Sequence, residues 1–99
     1  MRLLLAVALS LWFGTAVAME SIAVGPHSYY VKGDSGPVSV SNQGFNSNAG
    51  FVITSDGVVV FDALGTVALG HALIAEIRRR TSQPIRLLIL SHYHADHVY

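Results

Sequence analysis

An α/β fold is predicted by three features of the chain. Two short β-branched runs meet at an Asp-Gly turn, one stretch repeats apolar residues every four positions, and a last apolar run hands over to a polar loop. Strand, helix and strand in that order make a right-handed crossover unit, which sets its two strands parallel in one sheet.

Residues 27–32, His-Ser-Tyr-Tyr-Val-Lys, read as a first strand, stopped by the turn-rich Gly33-Asp34-Ser35-Gly36-Pro37. Residues 38–48 are dominated by Ser, Asn, Gln and Gly, with Phe45 the single aromatic, and read as a loop. Residues 51–54 and 58–62 then form two strands joined at Ser55-Asp56-Gly57, a strong hairpin signal.

Over residues 66–80 the period changes. Leu69, Leu73 and Ile77 make one apolar stripe with Ala72 beside it, while Glu76, Arg78 and Arg79 are expected to face water. Thr66 is the expected N-cap, three arginines suit the negative end of the helix dipole, and Pro84 blocks continuation. The run Arg78-Arg79-Arg80 is read as a solvated helix end rather than an anion site. Residues 85–90, Ile-Arg-Leu-Leu-Ile-Leu, are the next, buried strand.

Directly after it stands Ser91-His92-Tyr93-His94-Ala95-Asp96-His97-Val98, with three imidazoles and a carboxylate crowded together. Borderline divalent ions such as zinc favour this mixture of imidazole nitrogen and carboxylate oxygen. In an extended chain His92 and His94 share a face, whereas the adjacent Asp96 and His97 diverge, so one segment can feed two neighbouring metal positions. The plain alternative is a histidine-rich surface loop. Ala95 suits a tight turn and Tyr93 suits packing. Ser91 beside His92 is not read as a nucleophilic dyad, because neighbours in an extended chain point to opposite faces. The parallel crossover also brings Asp62, at the end of one strand, to the edge where the loop begins. His27 and His71 lie away from this edge and read as ordinary surface residues.

The His-x-His-x-Asp-His arrangement, with the strands that lead into it from about His27 onward, resembles the metallo-β-lactamase superfamily. The resemblance implies the first half of an αββα sandwich. It implies that His92 and His94 help bind one metal, Asp96 and His97 a second, and that Asp62 orients a ligand or a loop amide without binding metal itself. The family's remaining ligands, two histidines and a bridging aspartate, lie downstream of its motif, so the 99-residue chain is expected to be the N-terminal part of a longer protein. A histidine at position 97 disfavours the class B1 lactamases, and His94 disfavours the oxygen-reducing diiron members, which carry glutamate there. Glyoxalase-like, lactonase-like and class B3 lactamase-like branches remain, with exported members linked to sulfur or quinoprotein metabolism.

At the other end, Met1-Arg2, an apolar stretch from Leu3 to Phe13 and Gly14-Thr15-Ala16-Val17-Ala18 have the order of a secretory leader cut after Ala18. The apolar core is shorter than the roughly 18 to 20 residues a membrane anchor needs. The mature part, from residue 19, loses one of six basic residues, leaving five against six acidic ones, so no basic surface is offered to nucleic acid. With no cysteine, neither a disulfide nor a thiolate metal site is available.

The expected function is hydrolysis of an ester, thioester, lactone or lactam in a small-molecule substrate. One or two Zn2+ ions would activate water, and Asp96 would orient it or act as general base. A mononuclear Fe2+ sulfur dioxygenase of the same fold and a non-catalytic exported metal-binding fragment are the alternatives. The site is expected in the periplasm or outside the cell, touching membrane only transiently through the leader.

Overall fold

Five short strands hydrogen-bond into one sheet in chain order: β1 (Ser21–Ala23), β2 (Ser28–Val31), β3 (Ala49–Thr54), β4 (Gly57–Phe61) and β5 (Ile85–Ile89). This computed structural model describes residues 19–99, and residues 1–18, read from the sequence as a secretory leader, lie outside the described residues. The first four strands are antiparallel neighbours, and β5 joins β4 in parallel through the helix α1 (Val67–Arg80). A four-residue helix, α2 (Ala95–Val98), follows β5. The architecture is the α/β layering expected for the first half of the sandwich.

The β3–β4 turn is tight because Thr54 pairs with Gly57, leaving only Ser55 and Asp56 between the strands. Gly57 adopts φ +131, and a Cβ there would strike the Arg86 side chain and the Pro84 carbonyl. Arg86 is an extra residue in the β4–β5 ladder: the register steps from Val58–Ile85 to Val59–Leu87. That bulge sets the face of every later β5 side chain.

Cross-strand partners share a face, so Val31 and Ala49, Tyr29 and Phe51, and Phe51 and Val60 line one side of the sheet. Against it pack Leu69, Leu73 and Ile77 of α1, with Leu64 completing a buried cluster. Tyr29 stacks on Phe51 with ring centroids 5.1 Å apart. The opposite face leaves Phe61, Leu87 and Ile89 exposed, an apolar surface of the kind a sandwich covers with its second layer.

Thr66 caps α1 as expected, its hydroxyl accepting from the Leu69 amide at 3.1 Å. Glu76 departs from expectation, since it is buried, with 5 % of its surface exposed. It takes the amide and hydroxyl of Ser21 on β1 at 2.9 and 2.6 Å and two bonds from Arg79 at 2.9 and 2.7 Å. The arginine run is likewise more than a solvated end. Arg80 donates to the Ser21 hydroxyl and carbonyl and lies 4.7 Å over the Tyr29 ring, and Arg78 donates to the Gln83 carbonyl.

The Arg79 guanidinium holds the Glu76 carboxyl down at about 2, against the burial that would raise it, with Ser21 assisting. A carboxylate depressed in the folded state stabilises above its unfolded value and loses that contribution as pH falls through the folded one. Glu76→Gln is therefore expected to cost about 2 kcal/mol near pH 7. The gap to wild type should close between pH about 4.5 and about 2. Urea unfolding across that range checks it; a gap independent of pH would show that the charge is not what matters.

Candidate metal centre

The site is built where β4 and β5 end side by side. β4 stops at Phe61, and the chain turns through two left-handed residues, Asp62 (φ 67) and Leu64 (φ 65). Strand alternation would have kept Asp62 on the helix-covered face with Val60. The left-handed turn, which aspartate tolerates better than most residues, re-aims its carboxylate across the strand ends.

That carboxylate is a three-way anchor with 8 % of the residue exposed. Oδ1 accepts the Ser91 amide at 2.7 Å; Oδ2 accepts the Ser91 hydroxyl at 2.8 Å and the His97 Nδ1–H at 2.9 Å. Burial pushes the Asp62 carboxyl up, but the Ser91 amide, the Ser91 hydroxyl and the His97 imidazole together hold it below its ordinary value.

The motif segment is pinned to the β4–α1 loop by backbone bonds. The Ala63 amide donates to the His97 carbonyl at 2.8 Å, and the Tyr99 amide to the Leu64 carbonyl at 3.1 Å. From the other side the Ser47 hydroxyl donates to the Asp96 carbonyl. Gly65 suits the close approach, because a Cβ there would meet the Asp96 Cα tightly at 3.2 Å. Gly33 is needed one step further out, where a Cβ would land on the backbone of Ser47.

The second half of the motif, read from sequence as loop, winds into α2, with the His97 amide donating to the His94 carbonyl at 3.0 Å. This turn lifts His97 back toward the first histidine. The His92 and His97 rings lie 4.2 Å apart, and His94 meets His92 edge-on at 4.7 Å. His97 Nε2 stands 3.4 Å from Asp96 Oδ2. The three imidazoles and Asp96 thus form one cluster. Tyr93 does not pack as expected, being 86 % exposed with its ring 5.0 Å from His94. Phe45, in the Ser/Asn-rich loop, packs against the core, while His27 and His71 are exposed.

Ser91 and His92 do touch, with Oγ and Nδ1 2.7 Å apart. The expectation that they diverge fails because β5 ends at Ile89, so strand alternation no longer governs their directions. The order of contact is nevertheless wrong for nucleophilic catalysis. In a Ser-His-Asp triad the imidazole sits between carboxylate and hydroxyl, whereas here the hydroxyl sits between carboxylate and imidazole.

The donor chemistry fits a borderline divalent ion, since His92 and His97 each have Nδ1 hydrogen-bonded and His97 turns Nε2 toward the Asp96 carboxylate, with His94 alongside. Among the described residues, no three of these side chains converge as a preformed metal cage. Sequence reasoning missed the Ser47 tether and the closeness of Gly65. Nothing local marks either residue, since both act on Asp96 across more than thirty positions.

No curated protein matches the chain. The family model of the metallo-beta-lactamase superfamily matches residues 42–99, which spans β3 to the motif and contains every residue of the cluster. With that match over more than half of its length, and with the five-stranded sheet delivering the motif at its strand ends, the chain belongs to the metallo-β-lactamase superfamily.

Proposed function

We propose that the whole protein is a zinc-dependent hydrolase acting on an ester, thioester, lactone or lactam in a small molecule. The observation that carries this reading is the gathering of His92, His94, His97 and Asp96 at the ends of β4 and β5, above a buried carboxylate that holds the loop. His92 and His97 have Nδ1 engaged and offer Nε2; His94 offers its ring beside them, and Asp96 its carboxylate. These four residues are the proposed ligands of one or two ions. Zinc, when bound, supplies Lewis acidity toward an acyl oxygen and brings the pKa of water to about 7.

The protein's own groups do the rest. Asp96, half-buried in the first turn of α2, orients the attacking water or, with a single ion bound, accepts its proton as general base. Asp62 keeps His97 turned so that Nε2 faces the cluster. We place the protein in the periplasm or outside the cell after loss of residues 1–18, in contact with membrane only through that leader and with no nucleic-acid partner.

One preparation tests the reading: the whole protein recovered from an exporting host, with intact mass, metal content and hydrolysis of ester, thioester, lactone and lactam probes measured together. The expected result is an N-terminus at or next to Met19, bound zinc, and turnover lost to chelator and restored by zinc. Iron with thiol-dependent oxygen uptake would replace hydrolysis by dioxygenation. Metal without turnover of any probe would leave a binding module.

A further inference from the structure

We propose that Ser91 is a positioning residue, whose hydroxyl relays the orientation of Asp62 to His92 and fixes that imidazole with its proton on Nδ1 and its Nε2 lone pair toward the metal site. The inference rests on the reading of His92 as a ligand. It deepens that reading by adding a residue which touches neither metal nor substrate.

The argument is one of donor arithmetic. Ser91 Oγ lies 2.8 Å from Asp62 Oδ2 and 2.7 Å from His92 Nδ1. A hydroxyl carries one proton, and an ionised carboxylate only accepts. If Ser91 gave its proton to His92, two oxygens with no hydrogen between them would face each other at 2.8 Å. The proton therefore points to Asp62, and the Ser91 oxygen is left as an acceptor. His92 Nδ1 must then be the donor. The same carboxylate takes the Nδ1–H of His97 directly, so Asp62 sets two imidazoles in the same tautomer, one by contact and one through Ser91.

Geometry supports the relay independently of hydrogen placement. Ser91 is held at two points, by its amide on Oδ1 and its hydroxyl on Oδ2, so its oxygen is fixed relative to the carboxylate plane. His92 is exposed, and its ring contacts are the neighbouring histidines. The Ser91 hydroxyl is the hydrogen-bond partner found for this ring among the described residues.

The test uses the whole protein as wild type, Ser91→Ala and Ser91→Thr. Imidazole nitrogen shifts are read by long-range proton–nitrogen correlation on metal-free samples, and zinc affinity by chelator competition. Wild type and Ser91→Thr should show His92 protonated at Nδ1. Ser91→Ala should shift His92 toward the Nε2–H form and weaken zinc binding by about 10-fold or more. His97, whose partner is untouched, should keep its tautomer in all three and so report that the fold and Asp62 are intact. Should Ser91→Ala fail to fold, Ser91→Cys, similar in size and a weak acceptor, is read in the same way.

An unchanged His92 tautomer with zinc affinity within twofold of wild type would overturn the proposal, as would loss of the tautomer in Ser91→Thr. Failure of the hydrolase reading is separable. A wild-type protein that takes up no zinc sinks that reading, while the tautomer comparison in metal-free protein still decides the role of Ser91.

Discussion

Asp96→Asn in the whole protein is expected to lower turnover of the best hydrolytic probe by about 10²- to 10⁴-fold, the span of a lost general base. The substitution keeps the size of the side chain in the first turn of α2 and the backbone carbonyl that Ser47 holds, so the loop should stay in place. What goes is the negative charge that accompanies His97 Nε2 at 3.4 Å and the capacity to accept a proton from water. Some metal should persist on the histidines. Alanine at His92, His94 or His97 should instead lower metal content first and turnover in proportion, because an ion with few protein ligands loses much of its coordination energy with each one. Metal content and rates on the same preparations separate the two patterns. Full activity of Asp96→Asn with unchanged metal content would show that the chemistry lies elsewhere.

The parts of this fold that were legible in the sequence are those whose cause is local. The Asp-Gly turn demanded a residue that accepts positive φ, and Gly57 supplies it. The four-residue stripe and the Thr66 cap each sit within a few residues of the structure they create. The parallel pairing of β4 with β5 followed from one helix between two strands, and it correctly brought Asp62 beside the motif.

What could not be read was set from a distance. β1 is three residues with no pattern of its own, and it exists as an antiparallel partner of β2 whose first residue is tied to Glu76. Glu76 itself is instructive. Its spacing from Leu73, three positions along a helix, puts it beside the apolar stripe, yet its residue type argued for water. Burial won because Ser21 and Arg79 satisfy both of its oxygens. The candidate site was legible as a set of residues and not as an arrangement. Period-two reasoning separated Ser91 from His92 and His97 from the first histidines, but the strand ends at Ile89 and α2 folds the motif back on itself.

Asp62→Asn is expected to weaken zinc binding by about 10- to 100-fold, although the change replaces one oxygen by nitrogen and adds no bulk. Asparagine is as much at ease as aspartate in a left-handed conformation, so the φ of 67 at this position is not what fails. The failure is in acceptors. Asp62 receives three donors, the Ser91 amide, the Ser91 hydroxyl and the His97 Nδ1–H, and an amide has one oxygen with which to receive them. If that oxygen keeps the Ser91 amide, the NH2 group faces the hydroxyl and the imidazole, donor against donor. Relief requires His97 to move its proton to Nε2, which blocks the nitrogen proposed to face the metal, and requires Ser91 to turn its own proton toward His92. One substitution thus reverses the arrangement at two of the proposed ligands. Chelator competition for zinc, with imidazole nitrogen shifts recorded on the metal-free protein, measures both consequences. Wild-type affinity in Asp62→Asn, with both tautomers unchanged, would mean that the buried carboxylate only braces the loop and that the tautomers of His92 and His97 are fixed by something else.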